Sequence, residues 1–334
     1  LLRPHGSDKG TTRKIYTPDN FYTPAVAVLR GVYASRLKHS ATRKWLEQAL
    51  AAWVLASLAR TPLPVARRLA SFYARLLDIA VPRLRRVAMR NLGMALPDRT
   101  MREHRRIVDG VFQSISRLLL ALAKFPYIGS SNIGEWIRYE GYEHVERALQ
   151  CGRGVLFAAA HLGNWELSAY AHAVLSGPMH VVVRPLDNPL VDALMARRRA
   201  LSGNRILDKT DSARAILKAL RANEAVGILI DQNSNLEQGT FVDFFGISAC
   251  SGTGFARLAA RTGAVVIPGF ALWSEQEQRH VLRFYPPVPI TGDAVADTQK
   301  LQRVIESVIR QYPDQWLWIH RRWKTRPPGE PPLY

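Results

Sequence analysis

An α/β fold with a largely parallel sheet flanked by helices is predicted from three features of the sequence. Beyond Trp136, short apolar runs alternate with longer helical segments, which is the pattern of β-α-β units. The runs themselves are almost continuously apolar, as strands covered on both faces require. Before residue 100 the chain reads instead as helix, interrupted at Pro62, Pro64 and Pro82 because proline removes a backbone donor.

Residues 1–42 are polar and basic, with Pro4, Gly6, Gly10 and Pro18, and are expected to be disordered or extended without a cleavable signal peptide. Residues 43–106 are expected to form a helical, basic, membrane-associating region. The segment 49–59 carries Trp53 and follows Trp45, Lys44 and Arg43. It falls short of the ~18 apolar residues of a span, so a short anchor and a helix lying in the interface both remain open. Leu69, Phe72, Tyr73 and Leu76 keep the i, i+3, i+4, i+7 spacing of one apolar face. Arg83, Arg85, Arg86, Arg90, Arg99, Arg102, Arg105 and Arg106 follow, relieved only by Asp98 and Glu103, and suit anionic headgroups.

Residues 107–326 are assigned to a catalytic domain and 327–334 to a proline-rich tail. A helix with Val111, Ile115, Leu118 and Leu122 on one side comes first. Strands are predicted at 154–160, 180–183, 226–230, 265–267 and 281–284. Helices are predicted near 165–176, 188–202, 212–223, 253–263 and 295–311.

The net charge of +19, from 46 Lys and Arg against 27 Asp and Glu, implies an anionic partner: a membrane face, nucleic acid, an acidic carrier protein or a phosphorylated lipid. The basic residues cluster beside an apolar helix and no recognition motif accompanies them, so specific nucleic-acid binding is disfavoured. Cys151 and Cys250 make no disulfide framework and no metal spacing; both are expected to be buried, and a reducing compartment is favoured. Neither a metal nor a cofactor is expected: no His-Glu-x-x-His is present and His161 has no third ligand nearby.

Chemistry is concentrated in Ala158-Ala-Ala-His161-Leu-Gly-Asn-Trp-Glu166. His161 ends an apolar strand, and Asn164 suits the N-cap of the next helix, with Glu166 in its first turn. A strand–turn–helix junction lets His161 and Glu166 meet, and a carboxylate on one imidazole nitrogen leaves the other as a general base. The carboxyl ends of strands are where α/β sheets collect their sites. Arg184, at the end of the second strand, suits a phosphate or a developing oxyanion, or a salt bridge with Asp187. Asp231 also ends a strand and is placed to position Arg184 or His161. Phe241, Phe244 and Phe245 offer either the wall of an acyl pocket or core. Arg197, Arg198 and Arg199 are candidates for contacts with a carrier protein or headgroups. No Gly-x-Ser-x-Gly elbow supplies a nucleophile.

The sequence resembles the bacterial lipid A biosynthesis acyltransferases, the lauroyl and myristoyl transferases of the His-x4-Asp/Glu superfamily. The resemblance runs from about Arg67 to Pro327. It rests on Arg90-Asn-Leu92 with Pro97, His161–Glu166, Val183-Arg-Pro-Leu-Asp-Asn-Pro189, Asp231-Gln232 leading to Gly239–Gly246, Ala259–Ala264 with Pro268, and Tyr312–Trp323. It implies direct transfer of an acyl chain from acyl carrier protein to a hydroxyl of a glycolipid, without metal or acyl-enzyme. In that reading His161 is the base and Glu166 orients it, while Arg184, Asp231 and Asn164 contact phosphate or oxyanion. The implied location is the cytoplasmic side of the inner membrane, peripheral or held by one anchor. The acceptor implied is a lipid A precursor, with another glycolipid such as a phosphatidylinositol mannoside as the alternative. Glycerol-phosphate relatives carry a Pro-Glu-Gly-Thr block where this chain has Glu237-Gln-Gly-Thr240, which disfavours lysophosphatidate.

Overall fold

Residues 41–209 and 212–334 are described by the structure, a computed structural model; most of the expected lead-in lies outside them. Residues 46–334 form one compact unit, and the expected division at 106 falls inside a continuous helix.

Helices come first: α1 (Ala41–Arg60), α2 (Leu63–Ala80), α3 (Pro82–Ala95) and α4 (Met101–Lys124). Pro62–Leu63 and Val81–Pro82 mark the breaks, with proline in the first turn of α2 and α3, where its missing N–H costs no helical bond. α4 opens on a capping box: the Thr100 side chain accepts from Glu103 N–H, and Glu103 accepts from Thr100 N–H, satisfying two orphan donors at once.

α2 turns its small residues inward. Ala66, Ala70 and Ala74 are buried, whereas Phe72 and Leu76 stand 59% and 51% exposed. The apolar face expected around Leu69, Phe72, Tyr73 and Leu76 therefore divides, with Leu69 and Tyr73 packed on the core and Phe72 and Leu76 facing outward. Among the described residues no helix is long and apolar enough to cross a membrane.

A seven-stranded sheet follows. Its strands are β1 (Ile137–Glu140), β2 (Val155–Ala159), β3 (His180–Val183), β4 (Arg205–Asp208), β5 (Ala225–Leu229), β8 (Val265–Ser274) and β9 (Arg279–Phe284), in the order β1-β9-β8-β2-β5-β3-β4. Every neighbouring pair is parallel except β8 with β9. β6 (Gly239–Phe244) and β7 (Ile247–Gly252) form a separate antiparallel hairpin. The connecting helices are α5 (Glu143–Gln150), α6 (Trp165–Ser176), α7 (Pro189–Ala200), α8 (Ala213–Arg221), α9 (Gly254–Thr262) and α10 (Ala294–Gln311).

The apolar runs that predicted strands are the inner ones. Leu156, Val226 and Val266 are buried against helices such as α8 and α9, while Val155 and Ile267 are buried in the cluster that includes residues of α4 and α6. β1 and β4 escaped prediction because they are edges, reading Ile-Arg-Tyr-Glu and Arg-Ile-Leu-Asp; charges there discourage further pairing. Contrary to expectation Cys151 is exposed, while Cys250 is buried.

A second apolar cluster gathers Leu92, Phe112, Phe244, Phe245, Trp316, Trp318 and Trp323. It docks the 312–323 segment against the end of the sheet. Phe245 holds a left-handed φ of 61° at the hairpin turn, a strained state for a bulky residue. Its burial and the bond from its N–H to Glu306 Oε2 at 2.7 Å hold it there.

Candidate active site

β2 and β5 are parallel neighbours, and their register pairs Ala159 with Leu229. His161 follows β2 as Asp231 follows β5, so equal steps past the strand ends set the two side by side. His161 Nδ1 lies 2.8 Å from Asp231 Oδ1, and the His161 backbone N–H donates to Oδ2 at 2.9 Å. Trp316 Nε1–H donates to the same Oδ2 at 2.8 Å.

Asp231 is fully buried. Burial works to raise its pKa, yet His161, the nearby His320 and the Trp316 donor together hold it well below the usual carboxylate range. An ionised carboxylate only accepts, so Nδ1 carries the proton and Nε2 keeps its lone pair. Gln232 Nε2 stands 3.3 Å from that nitrogen, its amide N–H a weak donor to it. The unit has the logic of a carboxylate-oriented base: Asp231 fixes the tautomer and supports the imidazolium that proton uptake would create.

Backbone contacts fix the loop that carries His161. Leu317 N–H donates to His161 O, and Gly163 N–H to Gln315 O, each at 2.9 Å. Gly163 has φ +66° and lies so close to β8 that a Cβ would fall 2.0 Å from Ala271 O. Asn164 N–H then donates to Ala271 O, and the Asn164 side chain accepts from Leu167 N–H at 3.0 Å to cap α6.

His161 opens onto a cavity of about 810 Å³. Phe125, Phe157, Met179, Phe270 and Phe284 give it apolar walls, while exposed Arg184, Lys209 and Arg257 also line it. An apolar space with a few polar groups at one side is what an amphipathic substrate needs.

The structure separates roles that the sequence left open. Glu166 does not orient His161. Its carboxylate is held by Arg199 at 2.6 and 2.9 Å, because the first turn of α6 carries it toward α7. Asn164 is a buried helix cap and Asp231 a buried support, and neither lines the cavity. Phe244 and Phe245 are core packed on Trp316 and Trp318, and Phe241 is half-buried off the cavity wall. Arg184 lies at the cavity but makes only an exposed ion pair with Asp187, at 3.6 Å. In the arginine run only Arg197 stays fully exposed: Arg198 donates to Ala123 O and Arg199 holds Glu166.

The sequence model of the bacterial lipid A biosynthesis acyltransferase matches residues 34–325. The chain belongs to this family. It is similar to the lipid A biosynthesis lauroyltransferase of Escherichia coli (strain K12), 30% identical over 87% of this chain and 95% of the relative. The lipid A biosynthesis palmitoleoyltransferase of that organism is 27% identical over 74% of this chain and 81% of its own length. Its lipid A biosynthesis myristoyltransferase is 26% identical over 83% and 86%. This member of the lipid A acyltransferase family is therefore an acyltransferase enzyme.

The 312–323 segment of the acyltransferase has no role assignable from sequence alone. The structure shows that Trp316 completes the Asp231 support and that fully buried Arg322 braces the region. Arg322 donates to Cys250 O at 3.0 Å and to Gln302 Oε1 at 3.2 Å, while Gln302 donates to Ile230 O beside Asp231. Burial pulls the Arg322 pKa down to about 10, so it stays charged at neutral pH. The signal was present as a dense aromatic–basic run, but its partners lie some 70 to 90 residues away in sequence.

Proposed function

We propose that this acyltransferase moves a fatty acyl chain from acyl carrier protein to a hydroxyl of a lipid A precursor. The observation that carries the chemistry is the Asp231–His161 bond, which in the neutral imidazole leaves the Nε2 lone pair as the base of a histidine that lines the cavity. The acceptor hydroxyl loses its proton to Nε2 as its oxygen attacks the thioester carbonyl. The tetrahedral intermediate then collapses, the C–S bond breaks, and the leaving thiolate takes the proton from His161. Asp231 stabilises the imidazolium between the two transfers. The apolar walls receive the acyl chain, at roughly 0.8 kcal/mol per buried methylene. Arg184, Lys209 and Arg257 suit phosphates of acceptor or carrier.

The acceptor follows from the names of the relatives, all of them lipid A enzymes. An amphipathic substrate and the exposed apolar outer face of α2 support a location at a membrane surface, which in this reading is the cytoplasmic side of the inner membrane.

Transfer from lauroyl-acyl carrier protein to a purified lipid A precursor tests the proposal. His161→Ala is expected to abolish transfer while the protein stays folded. Normal turnover by that variant, or a stoichiometric acyl adduct on Cys151, Cys250 or Ser168, would overturn it.

A further inference from the structure

A second cavity, of about 480 Å³, shares no lining residue with the first. It lies among α2, α4 and the turn between β8 and β9. Arg67 and Arg68 line it from α2, Arg117 from α4, and Arg279 from β9, with Trp136 and Trp273 as aromatic walls. Glu135 and Glu275 also line it, so the arginines outnumber the acids.

The arginines are not equivalent. Arg117 is mostly buried, bonded to Glu275 at 2.7 Å and stacked 4.3 Å from the centre of the Trp273 ring. Arg279 is bonded to Glu277 at 2.9 Å. Arg67 and Arg68 are exposed. Trp273 Nε1–H is buried without an acceptor, an unusual state for a donor that an oxygen-rich ligand would relieve.

The helix that supplies Arg67 and Arg68 also carries an outward apolar stripe. Val65, Phe72, Leu76 and Ile79 are 51%, 59%, 51% and 67% exposed. At 100° per residue they fall within roughly 60° of arc, with Arg68 and Arg75 along one border. On α1, Leu46, Leu50 and Trp53 are likewise exposed, and Trp53 meets Tyr73 of α2 at 5.9 Å. An exposed apolar stripe bordered by arginines is the pattern of a helix lying in a bilayer interface.

We propose that this second cavity binds the anionic phosphate headgroup of a membrane lipid whose acyl chains continue over the α1–α2 stripe. Arg67 and Arg68 meet the phosphate, and Arg117 keeps the Trp273 ring in place as an aromatic wall. The site is separate from the chemistry at His161 and holds the enzyme at the surface where its acceptor resides. A free phosphate would use the arginines and leave the stripe unused; a lipid uses both.

The test uses the full chain carrying His161→Ala, so that turnover plays no part and acyl transfer is not being judged. Calorimetric titrations with dihexanoyl phosphatidylglycerol, dihexanoyl phosphatidylcholine and inorganic phosphate are compared. Flotation with phosphatidylcholine vesicles, with and without phosphatidylglycerol, is measured alongside. The phosphatidylglycerol analogue is expected to bind most tightly. Arg67→Gln with Arg68→Gln should weaken it about tenfold or more. Phe72→Ser with Ile79→Ser should reduce flotation with both kinds of vesicle. Unchanged phosphatidylglycerol binding by the arginine double variant overturns the proposal. Equal affinity for the two lipid analogues also overturns it, and inorganic phosphate binding as tightly as the lipid would make this a free-anion site instead.

Discussion

Both prongs of the Arg199 guanidinium hold the Glu166 carboxylate, Nη2 to Oε1 at 2.6 Å and Nε to Oε2 at 2.9 Å. Glu166 stands in the first turn of α6 and Arg199 in the last turn of α7, so the pair clamps two helices at the wall of the catalytic cavity. Burial works against the Arg199 charge, yet Glu166 overcomes it and the pKa of Arg199 is raised.

Breaking this pair from one side leaves a buried charge uncompensated. Glu166→Gln is expected to cost about 3 kcal/mol of stability, read from urea unfolding. Joining it with Arg199→Met should return most of that loss, because both charges are then gone. Full stability in Glu166→Gln with turnover abolished would instead assign the Glu166 carboxylate directly to the chemistry.

The sequence made the inner sheet legible because its strands are buried on both faces and so are apolar throughout; β2, β3, β5 and α6 fall where their patterns place them. His161 was legible for the same reason, as the polar residue that ends β2. Its partner was legible only as one of two: Asp231, at a strand end, was placed to position Arg184 or His161, while a spacing of five residues favoured Glu166. β-sheet register is what brings in Asp231, from 70 residues away. Local spacing says nothing about which strand lies next to β2. Phe244 and Phe245 left two readings open for a similar reason, since an aromatic run looks alike whether it lines a cavity or packs on Trp316.

Gly163 admits no side chain. Its φ of +66° disfavours any L-residue, and an added Cβ would lie 2.0 Å from Ala271 O. The clash is with backbone, so no rotamer change relieves it. Gly163→Ala should push the His161 loop off β8, costing on the order of 3 kcal/mol or more and most of the activity. A thermal midpoint and turnover both equal to wild type would refute this account of the loop.

Stability should fall on mild acidification. Burial pulls His172 and His320 down to about 4 and His280 to about 3, against ~6.5 in the unfolded chain. The unfolded state therefore binds protons first. Each contribution is complete above pH ~6.5 and is lost as pH falls toward about 4. Asp231 shifts in the same direction but acts at lower pH: its depressed pKa adds stability that is present above pH ~3.9 and lost only below it. The urea midpoint should thus decline between pH 7 and pH 5, with about 2 kcal/mol at most from each histidine at pH 5. His172→Phe should flatten part of that slope; an unchanged slope would show that His172 takes up its proton in the folded state.

Trp316→Phe isolates one donor to the Asp231 carboxylate. The ring and its contacts with Phe244 and Trp318 remain, but Oδ2 loses the 2.8 Å bond from Nε1 and keeps only the His161 backbone N–H. A buried carboxylate with one fewer donor is less stable by about 1–3 kcal/mol. It also becomes a stronger acceptor toward Nδ1–H, which favours the imidazolium over the neutral base. The ascending limb of the pH–rate profile should therefore move to higher pH, with turnover at neutral pH reduced about tenfold and KM little changed. Asp231→Asn should be far worse, losing about 10⁴-fold, as when the analogous carboxylate of a catalytic triad becomes an amide. A Trp316→Phe enzyme that loses stability with no movement of the ascending limb would confine Trp316 to packing and break the proposed link from Trp316 through Asp231 to His161.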